Sequence, residues 1–306
     1  LCNNRKCIVS GIVLMFLGKG KVAVTPAAPG AAVSNTSFSS TGNSVTASYN
    51  PVGTGTATAG LIWAGANDSS GWPTYLSHCE AFGGSTWTSK TAPSNKFSSS
   101  AGWGISTAAI AAGGTNGTTG ATDSSSIFDG TSWTTLSSTP NTNYTSQAGF
   151  GISGAGLYGC GYDRDTETAT SNCWLYDDVA FTSTGATPGT MSGPSGFGAS
   201  NAGVFTSSYN RGTGATTYNF NGTTWSTSGN KPNSYDNSDA CGGTQTGGIS
   251  MLGYENQTGS SLYNGTSWST GPSLSNQSYG QGGGGGPAFV NGGYSSAAGN
   301  TTTQKQ

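Results

Sequence analysis

The sequence predicts an all-β chain folded as a six-bladed β-propeller. Three observations predict it: an aromatic motif that recurs about every 45 residues, tight-turn dipeptides inside that motif, and small-residue strands at a fixed distance upstream of it. The motif reads Phe128-Asp-Gly-Thr-Ser-Trp133, Phe220-Asn-Gly-Thr-Thr-Trp225 and Tyr263-Asn-Gly-Thr-Ser-Trp268, with variants Phe82-Gly-Gly-Ser-Thr-Trp87 and Tyr176-Asp-Asp-Val-Ala-Phe181. Its second aromatics, Trp87, Trp133, Phe181, Trp225 and Trp268, are separated by 46, 48, 44 and 43 residues. Asn-Gly or Asp-Gly between aromatic-bearing runs is a hairpin signal, so each motif reads as strand, turn, strand.

Two further strands precede each motif. One is built of small residues, as in Gly102-Trp-Gly-Ile105, Gly149-Phe-Gly-Ile152, Gly196-Phe-Gly198 and Cys241-Gly-Gly243, which suits the crowded axis of a propeller. The next carries Ile110-Ala-Ala-Gly-Gly114, Leu157-Tyr-Gly-Cys-Gly-Tyr162, Val204–Tyr209, Met251–Tyr254 and Phe289–Tyr294. The next motif after Trp268 would fall past residue 306. The segment Phe38–Pro51 aligns with Phe220–Pro232, with Val45 in the Trp place, 42 residues before Trp87. The N-terminal strand is therefore expected to complete the last blade beside C-terminal strands, a closure that removes a sheet edge. The propeller spans residues 36–306.

Composition limits the function. The 306 residues include only 10 Lys or Arg and 12 Asp or Glu, a net charge of -2. Such a chain offers no basic patch to neutralise phosphates, so nucleic acid is not an expected partner. Eight Trp among 52 Gly argue against a disordered linker. General acid–base chemistry needs placed carboxylates or imidazoles; the acids are scattered and His78 is alone, so an enzyme is not expected, nor a cofactor or metal. Cys160 and Cys173 flank a hairpin and are read either as a disulfide or as two buried thiols. Residues 1–35 stand apart: Arg5 and Lys6 precede the apolar run Cys7–Leu17, too short for the roughly 20 residues of a membrane span. They read as a signal-like segment or as a docking tail.

The landmarks resemble a degenerate kelch repeat: Gly-Gly after the second strand, an aromatic ending the third, a Trp on the fourth. The blades are more similar still to the kelch-like repeats of marine phage tail-fibre and virion proteins, through Gly243-Thr-Gln-Thr246 followed by Tyr263-Asn-Gly-Thr-Ser-Trp268. The likeness covers about residues 36–306. It implies a virion structural protein, of the tail or particle surface, held in a larger assembly with other virion proteins through residues 1–35 and contacting a host-surface glycan. The alternative is a secreted, non-viral lectin.

In a four-stranded blade, turns after strands one and three share one face, which here carries short Gly turns. The opposite face carries longer loops with Trp72 and Tyr75, the recurring Tyr162, Tyr209, Tyr254 and Tyr294, and, between blades, Tyr144 and Tyr235. Tyr and Trp beside Asn, Ser and Thr suit sugar rings, whose C–H faces stack on aromatics while amides and hydroxyls bond the hydroxyls. These eight are the candidate glycan-binding residues; the competing reading is that they pack between blades and stiffen loops. The motif residues Trp87, Trp133, Phe181, Trp225 and Trp268 read as repeat core. Asp163-Arg-Asp-Thr-Glu167 reads as a solvated hairpin tip or, less simply, as a cation site.

Overall fold

The protein is described here by a computed structural model that covers residues 37–67, 74–95, 97–116, 120–206, 215–232, 240–251 and 258–274, together with short strand segments outside those ranges. Among the described residues there are strands and no helix, hence no helix long and apolar enough to cross a membrane. Of the N-terminal tail only the pairing of Ile8–Val9 with Ile12–Val13 is described.

Among the described residues six antiparallel sheets have four strands each. Sheet 1 is Val52–Thr56, Ala59–Trp63, Cys79–Phe82 and Trp87–Ser89. Sheet 2 is Ala101–Ile105, Ala108–Ala112, Ser125–Phe128 and Trp133–Thr135. Sheet 3 is Ala148–Ile152, Ala155–Gly159, Cys173–Tyr176 and Phe181–Ser183. Sheet 4 is Ser195–Ala199, Ala202–Thr206, Thr217–Phe220 and Trp225–Thr227. Sheet 5 is Ala240–Thr244, Gly247–Met251, Ser260–Tyr263 and Trp268–Thr270. Sheet 6 is Gly282–Gly284, Phe289–Asn291, Thr303–Lys305 and, from the other end of the chain, Ser39–Thr41. The first strands touch in cyclic order from sheet 1 through sheet 6 and back to sheet 1. The arrangement is propeller-like.

The innermost strands interlock. Trp103, on the first strand of sheet 2, lies against Gly149 and Gly156 of sheet 3, where an added Cβ would come within 2.5 and 2.1 Å of the indole. Phe150 of sheet 3 sits against Gly196 and Gly203 of sheet 4 in the same way, and Phe197 of sheet 4 against Gly248 of sheet 5. Thr54 takes the aromatic's place in sheet 1. Its hydroxyl donates to the Gly104 carbonyl of sheet 2 at 2.6 Å, and the position matching Gly156 there is Ala109. A smaller plug thus meets a smaller socket. The inner strands of sheets 1 to 5 also carry a glycine before the turn, Gly55, Gly104, Gly151, Gly198 and Gly243, with φ between 98° and 120°. A Cβ at Gly151 would come within 2.4 Å of the Ala155 carbonyl, so only glycine closes this hairpin.

The outer layer is a second repeat. The motif aromatics are cross-strand partners: Phe82–Trp87, Phe128–Trp133, Tyr176–Phe181, Phe220–Trp225 and Tyr263–Trp268, with ring centroids 4.8 to 5.2 Å apart. Such a pair adds roughly 0.5–1.5 kcal/mol beyond its area. The indoles of Trp87 and Trp268 donate backwards, to Thr303 Oγ1 of sheet 6 at 2.8 Å and Thr217 Oγ1 of sheet 4 at 2.9 Å. Phe181 has no N–H to give. Ser125, the residue in sheet 2 that matches those threonines, turns its hydroxyl to the Ser137 carbonyl of its own sheet at 2.5 Å. In the turns, Asp129, Asn221 and Asn264 each accept two backbone N–H groups from the residues two and three ahead. Those bonds, from the Ser132 N–H first, hold the Asp129 carboxyl well below its ordinary range.

Val45 does not take the Trp place. The strand that pairs with Thr303–Lys305 is Ser39–Thr41; with Thr303 in the place of Ser125, Ser39 opposite Lys305 matches Thr134 opposite Ile127, and the half-buried Phe38 before it falls in the position of Trp133, packed against the core of sheet 5. Val45 is 66% exposed. Its N–H and that of Thr46 instead donate to the two carboxylate oxygens of buried Glu80, at 2.7 and 2.8 Å, which fastens the segment after Ser39–Thr41 onto sheet 1.

Gly156→Ala is expected to cost about 1–3 kcal/mol by overpacking, and Trp103→Thr about 3–5 kcal/mol by cavity formation. The double variant copies the Thr54–Ala109 pair, and urea unfolding should find it about 1 kcal/mol or more better than the sum of the singles. Strict additivity would refute the interlock.

Candidate functional site

The entrance to the ring of inner strands is a funnel. It is lined by the first residues of the inner strands, Val52 and Gly53, Ala101 and Gly102, Ala148 and Gly149, Ser195 and Gly196, Ala240 and Cys241, and by the two residues ahead of four of them. These leaders are Asn50-Pro51, Ser99-Ser100, Ser146-Gln147 and Gly193-Pro194. Its cavity volume is about 110 Å³, and it opens to solvent. Among the described residues, no charged and no aromatic side chain lines it.

The leaders are held by repeated backbone bonds. Tyr49 bridges Ala66, Ser98 bridges Thr115, and Thr145 pairs with Tyr162, so in sheets 1 to 3 the segment entering the inner strand is stapled to the one leaving the second strand of its own sheet. Between staple and strand the chain must turn sharply. Asn50, Ser99 and Ser146, each two residues before the strand, take left-handed φ of 49°, 53° and 56°. The Ser146 N–H donates to the Ser99 carbonyl at 2.9 Å and links two leaders around the rim. The exits carry a second left-handed set, Ala64-Gly65, Gly113-Gly114 and Cys160-Gly161.

Of the eight candidate aromatics, Trp72, Tyr209, Tyr235 and Tyr254 lie outside the described residues, and Tyr294 is described only as backbone paired, with Ser295, to Ala298–Gly299. Tyr75 is half-buried on a two-strand ribbon, Thr74–Tyr75 with Ala66–Asn67. Tyr144 and Tyr162 are brought together: they are half-buried on neighbouring strands of a small sheet, Tyr144–Thr145, Tyr162–Asp163 and Thr168–Ala169, on the funnel side of sheet 3. Desolvation, then the charge of Asp163, raises the Tyr144 phenol. Among the motif aromatics, Trp87 is buried, while Trp133, Phe181, Trp225 and Trp268 are half-buried on the outer strands, away from the funnel.

The hairpin tip from Asp163 to Glu167 uses its acids internally. Asp163 Oδ1 accepts from the Asp165 N–H at 2.8 Å, and Asn143 Nδ2 donates to Asp165 Oδ1. Desolvation works to raise the Asp163 carboxyl, but these hydrogen bonds outweigh it and the group sits below its ordinary range. Among the described residues no group of three His, Cys, Asp or Glu side chains is placed to hold a metal ion.

Cys160 and Cys173 are free thiols. Of the two readings of this pair, the structure has the unbonded one. The residue opposite Cys173 in the ladder is Gly159, and the chain turns left-handed at Cys160, φ 54°, which leaves the sulfurs 4.0 Å apart with Cys160 Sγ 3.4 Å from Thr187 Oγ1; a disulfide needs about 2.05 Å. The contact with Cys160 and burial together drive the Cys173 thiol far up. Burial pushes the Cys79 thiol up to about 12, against the Trp133 indole, which draws it down.

The funnel leaders were not among the sequence candidates, because Asn, Ser and Gly are the commonest letters of this chain. The available signal was positional: a polar or proline dipeptide immediately before each small-residue strand.

No family model matches the sequence, and no curated protein matches it. The chain is similar in fold to the solved structure of YjhT, with a TM-score of 0.68 over 85% of this chain and 95% of that one, at 12% identity. At that identity the likeness is one of fold.

His78, the chain's one histidine, has neither ring nitrogen hydrogen-bonded, and burial lowers its pKa although the charge of Glu80 works to raise it. The unfolded chain therefore binds this proton first. The stability that neutral His78 allows is complete above the unfolded pKa of about 6.5 and is lost as pH falls below it. Urea unfolding between pH 7 and 5.5 should show wild-type stability declining, and His78→Gln should flatten that slope. An unchanged slope would contradict the assignment.

Proposed function

We propose that the chain is a six-bladed propeller, its last blade split between the two ends, that serves as a phage virion structural protein and contacts a host-surface glycan through the funnel face. The observation that carries the glycan contact is the chemistry of that face: a solvent-open funnel whose described lining is serine, asparagine, glutamine and backbone with no charged side chain, beside Tyr75, Tyr144 and Tyr162. Neutral hydroxylated ligands suit such a surface, since they supply donors and acceptors without a charge that the lining would leave unpaired.

The structural half of the reading draws on other features. Interlocked inner strands favour a rigid body. The opposite face is made of short turns closed on themselves through Asp129, Asn221 and Asn264. The pairing of Ser39–Thr41 with Thr303–Lys305 supports the split last blade. The repeat's likeness to phage fibre proteins supplies the virion setting, with residues 1–35 as the attachment to other virion proteins. The buried carboxylate of Glu80 is engaged by two backbone N–H groups and both ring nitrogens of His78 are sealed from solvent, which favours a role for this His–Glu neighbourhood in the fold.

Immunogold electron microscopy with antibody to the full chain is expected to label particle surfaces or tails. Secreted protein with unlabelled particles would replace the virion reading with that of a secreted lectin. On a glycan array the full chain should retain neutral glycans, and Tyr144→Ala or Tyr162→Ala should weaken retention by roughly 0.5–1.5 kcal/mol, the scale of a lost aromatic contact. An array without a single retained glycan would leave the structural role alone.

A further inference from the structure

We infer that the funnel wall between sheets 2 and 3 holds a subsite for a neutral, polyhydroxylated ligand, with Gln147 as its specificity-determining residue. The inference rests on the glycan-contact reading above and narrows it to one place.

Gln147 lines the funnel and is 4% exposed. Neither its Oε1 nor its Nε2 has a hydrogen-bond partner in the protein. Ser100, also in the lining and on the neighbouring leader, has a buried hydroxyl in the same condition. A methyl group built on Gly113 would lie 3.0 Å from the Tyr158 hydroxyl and 3.1 Å from both amide atoms of Gln147. The amide and the phenol therefore border one space, kept open because residue 113 has no side chain. Leaving an amide so is unfavourable, and leucine or methionine would fill the position without that cost. Native proteins pair nearly all buried polar groups, so an exception of this size marks a place where something else supplies the bonds. The backbone on the funnel side is committed to the arrangement as well, with Ser99 and Ser146 held left-handed beside Ser100 and Gln147.

The chemistry of the occupant follows from the lining. Among the described lining residues there is no cation to meet an anion, which would surrender its hydration, and no carboxylate to meet a cation. An amide offers a donor and an acceptor side by side, and two adjacent hydroxyls of a sugar ring return an acceptor and a donor. Because the amide is sealed from the funnel, the ligand engages it when the side chain turns outward. The inward arrangement has no hydrogen bond to resist that turn.

The test is ligand-observed NMR on the full chain with methyl glucoside, methyl galactoside and N-acetylglucosamine, and with glucuronate and inorganic phosphate as charged counterparts. The expected result is binding of at least one neutral sugar, about tenfold weaker binding of the anions, and about a tenfold loss in Gln147→Leu and Gln147→Met with melting temperatures at or above wild type. Ser100→Ala should give a smaller loss. Neutral-sugar binding that survives both Gln147 variants but fails in Tyr144→Ala or Tyr162→Ala overturns the subsite and keeps the glycan face. Preference for glucuronate or phosphate overturns the neutral class. Silence from every neutral sugar overturns the subsite and the glycan reading together.

Discussion

The packing of one inner-strand side chain into the glycines of the next sheet is the constraint on which the rest of this structure depends. Trp103, Phe150 and Phe197 each reach across an interface to a surface that has been stripped to backbone at Gly156, Gly203 and Gly248. A sheet of four short strands buries too little on its own to be stable. The interlock makes each sheet the missing half of its neighbour's core. The aromatic pairs then run across interfaces as well as within sheets: Trp103 with Tyr158 and Tyr176, Phe150 with Phe205, Phe197 with Tyr263 and Trp268. The Thr54–Ala109 exception follows the same rule at a smaller volume.

The hydrogen bonds of the outer layer obey a parallel logic. At Trp87 and Trp268 the preceding sheet presents a threonine hydroxyl to the indole N–H, while at Trp133 and Trp225 that place holds Cys79 and Cys173. Where the outer strand offers Phe181, the serine in that place serves its own sheet. Sheets 4 and 5 are tied further by Gln245, whose amide donates to the carbonyls of Gly203 and Phe220, and by the Tyr263 hydroxyl on Asn219. Because the contacts between sheets are specific in both layers, the leaders Ser99-Ser100 and Ser146-Gln147 are placed by packing far from the funnel that they line.

The sequence made the strands of this fold easy to read and the funnel hard to read. Aromatic spacing marks strands three and four because their pairing puts Phe128 opposite Trp133 and its counterparts opposite theirs. Glycine around a single aromatic marks the inner strand because only that pattern fits both plug and socket. The marker misleads where the repeat is split between the chain ends. Phe38 holds the outer-strand position, but in sequence it reads as the first aromatic of a motif, which moves the second place on to Val45. The funnel is written in serine, asparagine and glutamine, and what distinguishes Ser99 or Gln147 from dozens of similar residues is a backbone angle or an unpaired amide, properties that exist only once the sheets are assembled. The hairpin tip at Asp163 shows the converse: a conspicuous run of charge whose acids are absorbed by its own turn.

Native-state hydrogen exchange in Trp103→Ala tests most directly whether the interface between sheets, and not the single sheet, is the unit of stability. The interlock predicts that amides of Ala155–Gly159 in sheet 3 lose protection as much as those of Ala101–Ile105 in sheet 2, where the substitution lies. Loss confined to sheet 2, with sheet 3 as protected as in the wild type, would contradict it.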